Sequence, residues 1–188
     1  MIDTETTGLK AGFNEIIQIS VIRCADKQQR TVNIRAEFPH RASPEALAIQ
    51  NKTIYDLKTG IEKKEAVDSI DSFIIEDNKT NEHRCIIAHN ANFDMRFLHA
   101  TWGSFKKQFP ADLWLCTKEF TRKFAKKQGI VKPKLSLKAS LELTNIEAHD
   151  GAHNAVIDSL NTLNLWEKLM DAQIPISSVI KRVPHILI

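Results

Sequence analysis

Cysteine is scarce in this sequence of 188 residues, and the three that occur stand in no metal-binding or redox motif. Cys24, Cys85 and Cys116 are far apart and form no C-x-x-C pair, which argues against a disulfide framework and a zinc site. No apolar run approaches the roughly 20 residues that span a bilayer. The first residues also lack the basic and apolar pattern of a signal peptide. We therefore expect a soluble, cytoplasmic protein that does not act in a membrane.

The composition is that of an ordinary globular domain. Hydrophobic residues make up 43% and charged residues 26% of the chain, and the net charge is only +3. The length suits one domain, or one domain with a tail. Because the periodic pattern weakens after Met170, we expect a domain over residues 1–170 and a C-terminal tail over 171–188, which ends in HILI. The tail either packs on the core, binds a partner or marks where a longer chain was cut.

Hydrophobic periodicity predicts a hairpin first, then alternating strands and helices. The strands are expected at EIIQISVIRCA, RTVNIRAEF and CIIAH. The helices are expected at SPEALAIQNK, KKEAVDSIDSFIIED, NANFDMRFLHATW, DLWLCTKEFTRKFAKK, LSLKASLEL and NAVIDSLNTLNLWEKLM. The apolar stripe of the last helix is predicted to consist of Val156, Leu160, Leu163, Trp166 and Met170. This order of elements predicts an α/β domain with a mixed sheet.

Asp3 and Glu5 stand two residues apart in the opening stretch MIDTETTGL. Because alternate side chains of a strand share a face, the two carboxylates would lie next to each other. Adjacent ionised carboxylates repel unless a cation or a proton lies between them. The pair is therefore either a polar strand end that faces water or part of a cation site.

Two further stretches carry acids close to helix starts. Asp94, in CIIAHNANFD, falls in the first helical turn after a buried strand, where α/β folds build their sites, although an acid there also suits the helix dipole. In HDGAHNAVIDS, His153 precedes Asp158 by five residues. The two side chains converge only if His153 lies in the loop before the helix, which Gly151 allows. We expect Asp158 in the helix body, partly buried.

Together these residues predict a site for divalent metal ions. Carboxylate oxygens suit Mg²⁺ or Mn²⁺ rather than zinc, and two such ions about 3.5–4 Å apart clamp the attacking and leaving oxygens of a phosphoryl displacement. The predicted ligands come from three separate elements and are Asp3, Glu5, Asp94 and Asp158. A neutral histidine such as His153 is suited to take a proton from the attacking water.

Three motifs, in this order, resemble those of the DEDD exonucleases, in the branch with a catalytic histidine (DEDDh). They are DTETTGL, HNANFD and HNAVID, and SPEALAIQNKT and WLCT look like further parts of the pattern. The likeness covers nearly the whole chain and is greatest to the proofreading (epsilon) subunits of bacterial DNA polymerase III and their relatives. The resemblance implies a ribonuclease-H-like fold, a mixed β-sheet flanked by helices. It also implies a 3′→5′ exonuclease that uses two Mg²⁺ or Mn²⁺ ions.

The resemblance implies a role for each matching residue. Asp3 would bridge both metal ions, while Glu5 and Asp158 would complete the tighter site. Asp94 would support the second ion, partly through water. His153 would orient and deprotonate the attacking water.

The resemblance also implies a pocket for the terminal nucleotide. Its residues would be Thr6, Thr7, Gly8, Leu9, Asn90 and Phe93. The backbone of the first three would hold the 3′-hydroxyl, and Leu9 would wedge beside the terminal base, which suits an exposed apolar residue after a glycine. The alternative for Leu9 is an ordinary core position.

Two other histidines and two departures from the family pattern bear on these assignments. His149 lacks the H-x4-D relation to an acid, and we expect His89 to be structural. Only two residues precede Asp3, so either the first strand is very short or the chain is trimmed. The segment Gln50-Asn51-Lys52 stands where relatives often carry His-Gly and an apolar residue, so its contacts are expected to differ.

A basic stretch lies between residues 122 and 138. It has no acid, and its seven basic residues are Arg122, Lys123, Lys126, Lys127, Lys132, Lys134 and Lys138. It is either a solvated surface or a phosphate track that leads to the metal site, and a phosphate track would make substrate affinity depend on salt.

Three functions follow from these observations. The first is a metal-dependent exonuclease acting on single-stranded DNA 3′ ends, which the DTETTGL form favours, with a DNA polymerase subunit as a candidate partner. The second is the same chemistry on RNA. The third is a nucleic-acid-binding domain without activity, which the presence of all five catalytic residue types disfavours.

Overall fold

Strands and helices alternate along the chain after an initial antiparallel meander. The computed structural model describes residues 1–151 and 153–182. The strands are β1 (Ile2–Thr6), β2 (Ile16–Ile22), β3 (Gln29–Asn33), β4 (Cys85–Ala88), β5 (Leu113–Cys116) and β6 (Ile180–Arg182). The α-helices are α1 (Pro44–Ile49), α2 (Lys63–Ile75), α3 (Ala91–Gly103), α4 (Thr117–Lys127), α5 (Leu137–Leu143) and α6 (Ala155–Met170).

The strands form two sheets of mixed direction. In the first, β2 lies between β1 and β3 and is antiparallel to both, with Asp3 opposite Ser20. In the second, β5 lies between β4, to which it is parallel, and β6, to which it is antiparallel. The two sheets meet where β1 contacts β4. The predicted α/β architecture with mixed strands and flanking helices is confirmed.

Helices cover both faces of the strands, and this explains why β2 is buried along its whole length. On one face, Val67 and Ile70 of α2 and Phe97 and Trp102 of α3 pack against Ile19 and its neighbours. On the other face, α4, α5 and α6 pack over Ile22, Ile87 and Leu115. A strand buried on both faces is a near-continuous apolar run, as IIQISVI is.

The helix starts follow local capping chemistry. Ser43 accepts a hydrogen bond from the Ala46 amide at 3.1 Å and is followed by Pro44 at the first helical position. Ser136 caps α5 in the same way. Asn154 caps α6 by accepting from the Val156 amide at 3.0 Å. The predicted helix beginning at SPEALAIQNK is therefore confirmed, together with its serine cap.

Two details of the predicted elements are wrong. Residues 113–116, predicted as the start of a helix, form β5, because this short apolar run pairs in parallel with β4 between two helical layers. In α6, Leu163 of the predicted stripe is buried and Leu160 and Trp166 are half-buried against the same core, but Met170 is 42% exposed. The residues that α6 buries are Ala155, Ser159, Asn161, Thr162, Leu163, Leu165 and Leu169. Small polar side chains face the strands because α6 lies against β1 and β2 while α4 and α5 cover its other side.

The segment after α6 returns to the second sheet. Val179 is buried, and the three residues of β6 pair with β5. The described part of the tail thus packs on the core, while the predicted apolar end HILI lies outside the described residues. Within residues 1–151 and 153–182, no helix has the length and apolar character required to cross a membrane.

Candidate active site

Three predicted carboxylates meet at the surface between β1 and α6. Asp3, Glu5 and Asp158 each offer a ligand atom, and these three atoms lie within 4.8 Å of one another. Asp3 and Glu5 share one face of β1 because they are two residues apart on a strand. Asp158 lies in the first turn of α6, rather than in the helix body as the sequence suggested.

Two buried contacts hold the start of α6 against β2. The Ala155 amide donates to Gln18 Oε1 at 2.9 Å, so a strand side chain satisfies one of the free amides of the first helical turn. One turn later, the hydroxyls of Ser159 and Ser20 lie 3.0 Å apart. Because Ser20 is opposite Asp3 in the ladder, these contacts bring Asp158 to the carboxylates of β1.

Asp94 lies close to this cluster but outside the group of three. It is 3% exposed, in the first turn of α3, and its Oδ1 accepts from the Thr4 hydroxyl at 2.8 Å. Thr4 lies between Asp3 and Glu5, so its side chain leaves the opposite face of β1. Nevertheless, among the neighbouring charges, the charge of Asp94 contributes most to the raised pKa of Asp3.

Burial raises the pKa of every carboxyl in the cluster, and repulsion from neighbouring carboxylates adds to the rise at Asp3 and Glu5. Burial is the largest cause for all four, and the charges of Asp94, Asp158 and Glu5 add to it at Asp3. The pKa of Glu5 rises to about 7, as does that of Asp94 despite the Thr4 hydrogen bond. Clustered carboxyls of this kind hold protons in the absence of a cation.

The cluster fits divalent metal ions. Within the part of the chain that the structure describes, no lysine or arginine forms an ion pair with these four carboxylates. The charge of Lys52 only partly offsets the rise in the pKa of Glu5, and His153 only partly offsets that of Asp158. The donors are all hard oxygens, which Mg²⁺ and Mn²⁺ prefer. The four predicted ligands therefore suit Mg²⁺ or Mn²⁺ chemically, and Asp94 is the one that lies outside the group of three.

His153 lies at the mouth of the cluster in a left-handed turn with φ of 63°. Its backbone amide donates to Asp158 Oδ2 at 3.0 Å, and the residue is exposed to solvent. The sequence required His153 to lie in the loop before α6 in order to approach Asp158, and the structure places it there.

The other two histidines near the motifs are engaged elsewhere. His149 Nε2 lies 3.2 Å from the Asn164 amide nitrogen, on the outer side of α6. His89 Nε2 donates to the Leu135 carbonyl at 3.0 Å, and its Nδ1 lies 3.0 Å from the Thr117 hydroxyl. Burial lowers the pKa of His89 to about 4, so the neutral ring joins the end of β4 to two later segments.

The TTGL segment forms a tight loop beyond β1. The Glu15 amide donates to the Thr7 hydroxyl at 2.9 Å, and the Ser43 amide donates to the Thr7 carbonyl at 2.7 Å. A Cβ on Gly8 would lie 2.7 Å from the Asn14 side chain, so a larger residue would displace that side chain from its hydrogen bond to the Arg41 carbonyl. Leu9, next in sequence, is 79% exposed and is not a core leucine.

Asn90 and Phe93 lie at the start of α3, beside the same loop. Asn90 is exposed and adopts φ of 68°, and its carbonyl accepts from the Phe93 amide. Phe93 is half-buried, with its ring 4.9 Å from that of Phe97. An exposed side-chain amide and a partly exposed ring are therefore available next to the acidic cluster. The remaining predicted pocket residue is Thr6, whose hydroxyl donates to the Gly8 carbonyl.

Four contributors to the site were not found from the sequence. Thr4 holds Asp94, and Gln18 holds the start of α6. Gln50 donates to the Thr6 carbonyl at 2.8 Å, and Lys52 follows it beside Glu5. The departure from the family pattern at residues 50–52 marked this loop, but no local signal identified Thr4 or Gln18.

The basic stretch is divided between two surfaces. Lys123 and Lys127 of α4 donate to the carbonyls of Ser178 and Ala172, in the segment that follows α6. Lys132 and Lys134 lie in the exposed loop that ends at Leu135, which His89 binds. Only the loop half of the stretch therefore adjoins the second motif.

Comparisons with known proteins agree with this fold. The family model for RNase_T exonucleases matches residues 1–166. The chain therefore belongs to this exonuclease family, and it is of the DEDDh type with a ribonuclease-H-like fold, as the motifs predict. Among curated proteins, it is similar to the DNA polymerase III subunit epsilon of Treponema pallidum (strain Nichols), with 33% identity over 106 residues, which is 56% of this chain and 46% of that protein.

Solved structures of exonucleases share the fold. Exonuclease X in complex with 5′ overhanging duplex DNA aligns over 95% of both chains, with 22% identity and a TM-score of 0.67. The nuclease domain of 3′hExo, a DEDDh family member bound to rAMP, aligns over 92% of this chain and 90% of its own, with 13% identity and a TM-score of 0.72. E. coli Exonuclease I in complex with a dA16 oligonucleotide aligns over 92% of this chain and 40% of its own, with 17% identity and a TM-score of 0.73.

Proposed function

We propose that this chain removes nucleotides one at a time from the 3′ end of single-stranded nucleic acid, with DNA favoured over RNA. The observation that carries the proposal is the convergence of Asp3, Glu5 and Asp158 within 4.8 Å, with Asp94 beside them. Membership of the exonuclease family supplies the reaction class.

Each residue has a defined task in this reaction. Asp3, Glu5, Asp94 and Asp158 would hold two Mg²⁺ or Mn²⁺ ions, which when bound would polarise the phosphodiester and lower the pKa of water. His153 accepts the proton of the attacking water at its imidazole, since its amide is tied to Asp158 and its side chain is exposed. Asp158 therefore has two tasks, to position His153 and to supply negative charge to the metal site.

The terminal nucleotide would bind between the TTGL loop and α3. Leu9 wedges beside the terminal base because it is exposed on a loop that Gly8 holds close to Asn14. Asn90 and Phe93 line the other side of the pocket, and the backbone of Thr6, Thr7 and Gly8 binds the 3′-hydroxyl. A groove beyond Leu9, lined in part by Lys10 and Arg96, offers basic groups for the phosphates that follow.

A role in proofreading, with a DNA polymerase as partner, is supported by the likeness to the polymerase III epsilon subunit. The matched region spans about half of that relative's length. The partner is therefore part of the proposal, and co-purification with polymerase subunits from the source organism tests it separately from the chemistry.

One assay tests the chemistry, its polarity and the sugar preference together. Single-stranded DNA and RNA of one sequence, labelled at either the 5′ or the 3′ end, are incubated with Mg²⁺, Mn²⁺ or EDTA. We expect a 5′-labelled ladder that shortens from the 3′ end, faster on DNA, and abolished by EDTA, Asp3→Asn and His153→Ala.

The matched controls are Asp150→Asn and His149→Ala, which alter an exposed acid and a histidine bound to Asn164. Both are expected to retain activity. A ladder that persists in EDTA or in Asp3→Asn would contradict the metal mechanism, and faster cleavage of RNA would reverse the substrate preference.

A further inference from the structure

Two phenylalanines from separate segments are exposed near each other, Phe13 on the loop that carries Leu9 and Phe38 in the segment that follows β3. Phe13 is 45% exposed and Phe38 is 39% exposed. The amides of Phe13 and Asn14 both donate to the Lys10 carbonyl, so Phe13 is held in a turn immediately beyond the predicted wedge. Large aromatic side chains that remain exposed beside a site provide faces on which a flat ligand can stack.

Arg41 lies against both rings. Its guanidinium carbon is 4.0 Å from the centre of the Phe38 ring and 5.3 Å from that of Phe13. Lys10 Nζ lies 5.6 Å from the Phe13 ring centre. Neither cation forms an ion pair within the described residues 1–151 and 153–182, so both charges are available to an anion from outside.

Hydrogen bonds join the two segments that carry these side chains. The side-chain Nδ2 of Asn14 donates to the Arg41 carbonyl at 2.9 Å, and the backbone amide of Lys10 donates to Asn14 Oδ1 at 3.0 Å. The Phe38 amide donates to Glu15 Oε2 at 2.8 Å. The rings and the guanidinium are therefore presented by anchored backbone.

The nearby acids do not cancel this positive charge. Lys63 Nζ lies 2.9 Å from Glu15 and 2.5 Å from Glu37, so these three groups together carry one negative charge, against the two positive charges of Lys10 and Arg41. The surface of Lys10, Phe13, Phe38 and Arg41, which we call the aromatic–basic surface, thus combines exposed rings with unpaired cations. Bases provide flat faces for the rings, and phosphates provide the anions.

We propose that the aromatic–basic surface is a second nucleic-acid subsite, which stacks an unpaired base of the substrate and binds an adjacent phosphate outside the terminal-nucleotide pocket. The proposal rests on the proposed function and deepens it. It assigns single-stranded nucleic acid as the occupant because exposed rings beside cations without an ion pair match that polymer's bases and phosphates, whereas a protein surface would have to supply both an apolar and an acidic patch.

Binding in EDTA tests this subsite without any hydrolysis. A fluorescein-labelled 12-nucleotide single strand and a strand of equal length built of abasic residues are titrated by anisotropy. We expect the double variant Phe13→Ala/Phe38→Ala to weaken binding of the normal strand about tenfold and that of the abasic strand less than twofold, since base stacking is lost only where bases are present. We expect Arg41→Ala to weaken the binding of both strands and to lower the slope of the log binding constant against log salt concentration by about 0.7.

Arg30→Ala and Ile75→Ala are the matched controls. Arg30 also lies over a phenylalanine ring, that of Phe73, and Ile75 is 51% exposed, but both lie toward the end of the sheet away from the TTGL loop. Equal binding of the normal strand by wild type and double variant, or equal losses on both strands, would overturn the stacking subsite. A wild type that binds but does not hydrolyse would contradict the proposed function alone.

Discussion

At the scale of single residues, the site depends on carboxyl groups that, when ionised, destabilise the folded chain until a cation binds between them. Glu5 and Glu15 show the contrast, because both are 7% exposed. Glu15 pairs with Lys63 and accepts from the amides of Glu37 and Phe38. Glu5 faces Asp158, and burial with this repulsion raises its pKa from 4.5 to about 7. Two equally buried glutamates therefore have opposite effects on the metal-free fold.

We expect the metal-free protein to lose stability as the pH rises from 4.5 through about 7. The folded-state pKa of Glu5 lies above its unfolded value, so the folded state binds more protons in this window and ionisation there opposes folding, by up to roughly 3 kcal/mol. In EDTA at pH 8, Glu5→Gln should raise the melting temperature by up to about 6–12 °C, since 1 kcal/mol shifts a chain of this size by about 2–4 °C. Differential scanning fluorimetry from pH 5 to 8 measures this.

Glu15→Gln is the control, and it should lower the melting temperature at the same pH because Lys63 loses a buried partner. Added Mg²⁺ should remove the advantage of Glu5→Gln, since the ion stabilises only the intact cluster. If Glu5→Gln were less stable than wild type in EDTA, the cluster would not carry the strain that its pKa values indicate.

At the scale of elements, the structure divides the basic stretch, residues 122–138, between two surfaces. The basic stretch reads as continuous from residue 122 to 138. In the fold, Lys123 and Lys127 bind carbonyls of the segment after α6, whereas Lys132 and Lys134 lie in the loop that His89 holds beside the second motif. Only the loop lysines are placed to meet phosphates near the acidic cluster.

Charge reversal in this loop should therefore weaken substrate binding. We expect Lys132→Glu/Lys134→Glu to raise the KM for a single-stranded oligonucleotide and to lower the slope of log KM against log salt by about 1.4, which corresponds to about 0.7 for each phosphate contact. Steady-state kinetics over a series of salt concentrations measures both quantities.

Lys79→Glu/Lys168→Glu changes the net charge equally at two exposed positions outside the loop and the site. This control should leave the KM and its salt slope close to those of wild type. Identical slopes for the loop variant and wild type would show that the loop does not contact phosphate.

At the scale of the whole molecule, the segment after α6 completes the second sheet. Its residue Val179 belongs to the same core as Leu115 of β5 and Leu169 of α6. Without β6, one edge of β5 would lose its hydrogen-bonding partner, and an open edge favours association between chains. The predicted boundary at residue 170 therefore separates segments that share one core.

A chain that ends at Met170 should be less stable and more prone to associate than the full chain. We expect a lower melting temperature and a concentration-dependent shift in light scattering. Val179→Asp in the full chain should reproduce the loss of stability, because it places an unpaired carboxylate in the core, while Ile176→Asp, at a position 37% exposed, is the control. Equal melting temperatures for the shortened and full chains would instead support an independent domain over residues 1–170.

The amino-acid sequence alone determined most of the helices and strands, the serine cap of α1, the family and the candidate metal ligands, because hydrophobic period, capping and motif spacing act over a few neighbouring residues. Tertiary structure decided what depends on partners far apart in the chain. It made residues 113–116 a strand through pairing with β4, selected the buried face of α6, and placed Asp94 against Thr4. It also brought Phe13 and Phe38 to Arg41. No local spacing encodes such contacts, since they exist only once separate layers pack together.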